Sequence, residues 1–372
     1  MVFILEALPA AHGDSLLLHF GTKAEPGLAI IDGGPTGILN KSLLPRLKEI
    51  HEERGKPKRL TVDVGMVSHI DDDHIHGIDD LTQGLVQNKI QPILEFKRFW
   101  HNSFNDLLGD DDEELGTAAS VVSAASVGGS VQPNTSAVIA SVGQGRQVRK
   151  SLDTLGIGGN KPFSPLVVNG HKSSPLTINK VKFTVVAPLD QQVRDLQKEW
   201  AENIKKMKKD KAKKAEVAAY LDKSVPNLAS LVFLVESGKK RILITGDARG
   251  DHTLTGLEKC GAMKKGGTMK IDVLKLPHHG SDRDVDHDYF ERIIADHYVI
   301  SANGKYSNPD IPTLEMISAA RKGDDDFTIH FTYALDDFSD QKVAKEIKTF
   351  LAKEKKKGRK YETAFGNVRI AL

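Results

Sequence analysis

Apolar runs of strand length, set apart by glycine-containing turns, alternate with a helical repeat along the first part of the chain. Val2 to Leu5, Ser15 to Phe20 and Leu28 to Asp32 read as short strands. Ser42 to Glu53 spaces its apolar residues for one face of a helix. Val62-Asp-Val-Gly-Met-Val67 then reads as a buried strand, a helix starts near His74, and Pro92 to Trp100 is a further strand with His101 at its end. The pattern weakens after that. Gly109 to Gly116 is acidic, and Thr117 to Val142 is rich in small residues without a strong period. Gln144 to Leu155 resumes a helix, Leu176 to Pro188 alternates as a hairpin does, and Asp190 to Leu221 is a long polar helical stretch holding the basic run Lys205 to Lys214. Regular alternation returns at Asn227. Ala229 to Glu236 and Arg241 to Thr245 flank the turn Ser237-Gly-Lys-Lys240, Val273 to Leu276 and Tyr298 to Ala302 are further strands, and Asn367 to Leu372 closes the chain as one more. The expectation is a single α/β domain over residues 1–372, with residues 104–225 inserted in it or elaborating it.

Composition narrows the setting. A single cysteine, Cys260, excludes an intramolecular disulfide and a cysteine-ligated zinc knuckle, and points to a reducing compartment. No apolar run approaches the roughly 20 residues of a membrane helix, and Glu6 interrupts the start of the chain too early for a signal peptide. A cytoplasmic protein with no membrane partner is expected. The net charge of +2 does not by itself select nucleic acid or an acidic surface.

The chemistry is concentrated in Ser68-His-Ile-Asp-Asp-Asp-His-Ile-His-Gly77. A buried strand that ends in a knot of imidazoles and carboxylates needs a cation, since those groups would otherwise repel or go unpaired. The spacing His69-x-Asp71-x-Asp73-His74 lets a tight turn aim alternate side chains at one point and the adjacent pair at a second, which suits two metal ions sharing a water. The competing reading is an acidic surface turn with Asp73 as a helix N-cap. Other strand ends add to the set. Ile242-Leu-Ile-Thr-Gly-Asp247 ends in a carboxylate able to bridge two cations, and Leu274-Lys-Leu-Pro-His278-His279-Gly-Ser281 ends in paired imidazoles. The turns His12-Gly-Asp14-Ser15 and Ile31-Asp32-Gly33-Gly34 carry one carboxylate each, and Asp32 reads as structural, holding a site loop.

In this order, His-x-Asp-x-Asp-His, Gly-Asp and His-His-Gly-Ser resemble the metallo-β-lactamase-fold hydrolases. The nearest likeness is to the soluble hydrolase domain of ComEC-type DNA-uptake proteins. It runs over Val2 to Gly77 and Asn227 to about Thr332, and leaves residues 104–225 uncovered. The resemblance implies a four-layer αβ/βα sandwich with metals at one edge of the sheets. It implies that His69 and Asp71 serve one metal, Asp73 and His74 the other, and that Asp247 bridges them. Asp71 stands where many members have His, a harder donor that favours Mn²⁺ or Mg²⁺ relative to Zn²⁺. Asn308-Pro-Asp310 stands where relatives often place His, so His278, His279 or Asp310 completes the second metal's shell. His101 is the candidate for the remaining histidine.

Two divalent cations (Zn²⁺ or Mn²⁺, with Mg²⁺ open) lower the pKa of a shared water and neutralise charge on a phosphoryl centre. Asp73 orients that nucleophile or takes its proton. Of His278 and His279, one serves as a ligand (His278 is assigned that part) and the other, His279, protonates the leaving oxygen. Three function classes follow: a metal-dependent phosphodiesterase or nuclease, whose nucleic-acid substrate Lys205 to Lys214 would contact; a hydrolase of small esters, lactones or cyclic nucleotides; and a non-catalytic module regulated by a protein partner.

Overall fold

Strand after strand in this chain is buried along its whole length, so both faces of each sheet must be covered. A computed structural model of the protein describes residues 1–103, 106–107, 133–195, 197–198, 202 and 230–372. The strands are β1 (Val2–Ala7), β2 (Leu16–Gly21), β3 (Pro26–Ile31), β4 (Leu60–Val62), β5 (Val64–Met66), β6 (Leu94–Phe96), β7 (Phe99–Trp100), β8 (Leu176–Ile178), β9 (Val181–Ala187), β10 (Val232–Ser237), β11 (Lys240–Ile244), β12 (Met269–Lys275), β13 (Ile293–Ile300), β14 (Thr328–Phe331), β15 (Glu362–Phe365) and β16 (Val368–Ala371). The helices are α1 (Leu44–Glu53), α2 (Asp72–Val86), α3 (Pro133–Thr154), α4 (Gly250–Lys259), α5 (His287–Arg292), α6 (Ile311–Ala320) and α7 (Gln341–Lys356).

One sheet runs β16-β1-β2-β3-β5-β7 and the other β15-β14-β13-β12-β11-β10-β9-β8. The two-residue period of each strand divides its side chains between layers. In β2, Leu16, Leu18 and Phe20 point inward to a core shared by both sheets, where Phe233, Val235, Ile242 and Ile244 of the second sheet meet them. Leu17 points the other way, into a layer formed with Leu47 and Ile50 of α1 and Ile75, Ile78 and Leu81 of α2. Across the molecule, Leu243 and Leu274 face Leu257 of α4, Phe290 of α5, Leu314 of α6 and Ile347 of α7. The result is helix, sheet, sheet, helix: the four-layer αβ/βα sandwich that the resemblance implies. Each such apolar side chain contributes about 1.5–3 kcal/mol on burial, so the three apolar layers hold the stack together.

Two expected strands divide. Val62 to Val67 breaks at Asp63, whose carboxylate accepts from Leu28 N at 3.0 Å while its own N–H donates to Leu28 O at 2.8 Å. That local pairing releases β4 to a separate two-stranded sheet with β6, while β5 stays in the main sheet. Pro92 to Trp100 divides in the same way into β6 and β7. Helix α2 starts at Asp72 with Asp71 at its N-cap position, so Asp73 is inside the helix and is not its cap. Within residues 104–225, α3 packs against α2 and the hairpin β8–β9 forms one edge of the second sheet. The acidic run 109–116, most of 117–142 and the basic run Lys205 to Lys214 lie outside the described residues. Among the described residues no helix is long and apolar enough to cross a membrane.

Candidate metal centre

Strands β3, β5 and β7 are parallel in the first sheet, as are β11, β12 and β13 in the second. Their C-terminal ends fall at one rim of the sandwich, the place where open α/β sheets build sites. β5 leads into Ser68 and His69, β11 into Asp247, and β12 into His278 and His279. The two sheets are tied at this rim by Leu231 N donating to Ser68 O at 2.7 Å. Gly246 permits the approach: its φ is +50°, and a Cβ there would stand 2.9 Å from Ser68 Cβ. Gly13 is equally confined, since its Cβ would lie 1.9 Å from Asp73 O.

Asp247 is buried between four imidazoles. Its Oδ1 lies 3.2 Å from His74 Nε2 and 3.6 Å from His279 Nε2; its Oδ2 lies 3.7 Å from both His69 Nε2 and His278 Nε2. Asp71 Oδ2 stands 3.6 Å from His69 Nε2, and Asp73 Oδ2 stands 3.3 Å from His279 Nε2. His74 Nε2 and His279 Nε2 approach to 3.3 Å. Asp71 has the backbone of an N-cap but makes no capping bond, so its carboxylate is free to face this cluster. Asp72, between Asp71 and Asp73, turns outward to His76 Nδ1 and Gln144 Nε2, both at 2.8 Å.

The donor set fits a cation. His69 Nε2, Asp71 Oδ1 and Asp247 Oδ1 are buried without a hydrogen-bond partner. Such atoms are costly to leave unpaired. Two groups, Asp14 with His74, Asp247 and His279, and His69 with Asp73 and His74, each bring their ligand atoms within 4.8 Å of one another. Donors held 2.0–2.1 Å from a shared tetrahedral ion stand about 3.4 Å apart, which matches the spacings around Asp247.

The electrostatics describe a cluster held together by opposite charges. Burial opposes charge on His74, but Asp247, Asp32 and Asp73 outweigh it and raise its pKa well above the ordinary value. His279 is likewise disfavoured by burial and yet lifted to about 9 by Asp247 and Asp14. Burial raises Asp73, but His74 and His279 bring it down to about 2. Asp247 is held far below the usual carboxylate range by His74, His279, His278 and His69, against the opposing effect of its burial.

Behind these groups is a supporting set. Asp32 accepts from Ser68 N and Ser68 Oγ at 2.6 Å each and pairs with His74 Nδ1 at 2.9 Å, so it both holds the motif loop and orients an imidazole. Asp284 takes His278 Nδ1, and Ser301 O takes His279 Nδ1 at 3.0 Å. His278 and His279 have φ of 47° and 56°, consecutive left-handed residues. That strain is sustained only where surrounding contacts over-determine it. Asp14 is fully buried against Lys275, whose Nζ lies 2.5 Å away and also donates to Leu276 O at 2.9 Å. Sequence patterning misses Lys275 and Asp284. A lysine in an otherwise apolar buried strand, Val273-Leu-Lys-Leu276, is the signal that points to the first; Asp284 carries none.

His101 is buried with both ring nitrogens unpartnered, and burial together with Arg149 pushes its pKa down to about 3. It sits beside Gly145 and joins neither ligand group. Asp310 is engaged elsewhere: its Oδ2 accepts from Asp282 N at 3.0 Å. Asn308 reaches His278 O at 3.5 Å.

No protein-family model matches the chain, and no curated protein matches it. Solved structures similar to it include one from Parabacteroides distasonis, provisionally described as a metal-dependent hydrolase. It is 11% identical with a TM-score of 0.35, over 87% of this chain and 90% of that one. Another, from Thermotoga maritima and provisionally described as a metallo-β-lactamase, is 15% identical with a TM-score of 0.25, over 63% of this chain and 68% of that one. Likenesses this distant decide nothing about activity, which has to be read from the site.

Proposed function

We propose that this protein is a divalent-metal-dependent hydrolase that cleaves phosphodiesters, and that a nuclease related to the ComEC-type hydrolase domain is its leading identity. The observation that supports this reading is the burial of Asp247 with His74 and His279 on one oxygen and His69 and His278 on the other. His69 and Asp71 would hold one ion, Asp73, His74 and His279 the second, with Asp247 between them. Bound there, two cations supply Lewis acidity and a water of lowered pKa.

The remaining steps belong to the chain's own groups. Asp73 is less deeply buried than Asp247, so its carboxylate is placed to orient the attacking water. His279 is expected from sequence as the proton donor, but it is almost wholly buried, which suits a ligand better. His278 keeps 31% of its side chain exposed, and Asp284 holds its Nδ1, leaving the Nε2 proton for the departing ester oxygen. Burial opposes charge on its ring, but Asp247 and Asp284 raise its pKa above the ordinary value.

The test is metal-free protein with single- and double-stranded DNA, RNA and a bis-nitrophenyl phosphate, each with Mn²⁺, Mg²⁺ or Zn²⁺, beside Asp73→Ala. Metal-dependent cleavage lost in the variant is expected. Cleavage of the small ester alone moves the substrate to small phosphodiesters, and tight metal binding with no phosphodiester cleaved overturns the reading.

A further inference from the structure

Tyr306 is the most exposed large apolar side chain of the described residues, at 73%. It occupies a conformation that an aromatic residue rarely adopts, with φ 58°, and Ser307 follows at φ 68°. Backbone strain of this kind clusters at ligand clamps and active sites. Three observations place the turn at the rim of the metal cradle. It follows Ser301, whose carbonyl holds His279, and Asp310 N of the same loop donates to Gly280 O at 3.1 Å. His12 meets the Tyr306 ring edge-on with centroids 5.3 Å apart, and the next residues of that segment, Gly13 and Asp14, press on the backbone of Asp73. Lys305 Nζ lies 4.8 Å over the Tyr306 ring and 3.4 Å from His12 Nε2.

From this placement we infer that Tyr306, Lys305 and His12 form a substrate subsite that takes a nucleotide unit of the ester, its base stacked on Tyr306 and its phosphate met by Lys305. An exposed ring beside a cation, open to solvent and next to the proposed phosphoryl-directed centre, recognises a planar aromatic group joined to an anion. A stacking ring tolerates any base because every base has a π-face, so the subsite selects for nucleotides over other phosphoesters without selecting a sequence. His12 backs the ring from the edge and fixes its plane. This inference rests on the phosphodiesterase reading and names the class of ester.

Binding separates it from catalysis. Titration calorimetry of the intact protein with AMP and with ribose 5-phosphate compares the same phosphate with and without a base. Wild-type protein is expected to bind AMP roughly tenfold more tightly, in the range of base–aromatic stacking. Tyr306→Ala, which keeps the backbone strain, should bring AMP to the ribose 5-phosphate level, Tyr306→Phe should retain the preference, and Lys305→Ala should weaken both ligands alike. Equal affinity for the two ligands in wild type, no saturable binding of either, or an unchanged preference in Tyr306→Ala overturns the subsite. Phosphodiester hydrolysis is assayed in parallel. A base preference without hydrolysis supports the subsite and defeats the phosphodiesterase reading; hydrolysis without a base preference does the reverse.

Discussion

Two pairs of histidines in this protein look alike at close range and are opposite in character. His74 and His279 bring ring nitrogens to 3.3 Å with centroids 5.1 Å apart; His297 of β13 and His330 of β14 bring theirs to 3.1 Å with centroids also 5.1 Å apart. Around the first pair stand Asp247, Asp32, Asp73 and Asp14. Around the second, among the described residues, no carboxylate comes within ion-pairing distance of either ring. The first pair is driven toward the charged form. The second is driven away from it, with burial and then His297 pushing His330 down to about 4. Proximity of imidazoles therefore does not make a metal centre; the carboxylates that want a cation do.

The comparison can be broken most directly at Asp247. Asp247→Ala removes the oxygen pair that both ligand groups face, and hydrolysis should fall on the order of 10³-fold, with bound metal reduced by elemental analysis. The double variant His297→Ala with His330→Ala should leave metal content unchanged. Metal lost from that double variant instead would erase the distinction between the pairs.

A second effect concerns what lies under the first pair. Asp14→Ala leaves Lys275 as a fully buried, uncompensated cation, at a cost of about 3–5 kcal/mol. Combining it with Lys275→Met should recover most of that loss in denaturant unfolding. If Asp14→Ala alone is nearly neutral, the buried pair is not what holds this floor.

The smallest effect sharpens the second pair. His330 titrates at about 4 in the folded protein and near 6.5 unfolded. As pH falls, the unfolded chain takes up the proton first. Its contribution to stability is complete above about 6.5 and declines down to about 4, by roughly 1 kcal/mol once partial exposure is allowed for. His330→Phe should flatten that part of the stability profile and leave the neutral-pH value close to wild type. A profile as steep as wild type would move the acid sensitivity elsewhere.

Much of the site was legible in the chain because its chemistry is local. His69, Asp71, Asp73 and His74 are close in sequence, and the strand before them and the helix after them dictate where they point. Asp247 and the His278–His279 pair were visible because each follows a strand ending in Gly-Asp or Pro-His-His. His101 shows the limit of that reasoning: the same strand-end logic makes it a candidate, and tertiary packing sets it beside Gly145 and outside both ligand groups. The break of Val62 to Val67 into β4 and β5 was equally hidden, since it depends on Asp63 pairing with Leu28 of a distant strand.

By itself, then, the sequence determined the continuous apolar runs that make strands with two buried faces, and the ordered carboxylates and imidazoles at their ends. Those are properties of neighbouring residues. Only the tertiary structure decided which oxygen of Asp247 each imidazole meets, that His278 is open and His279 is buried, and that Lys275 lies beneath Asp14. These choices depend on how two sheets built from distant segments meet at one rim. Burial and distance across that junction are products of the whole stack.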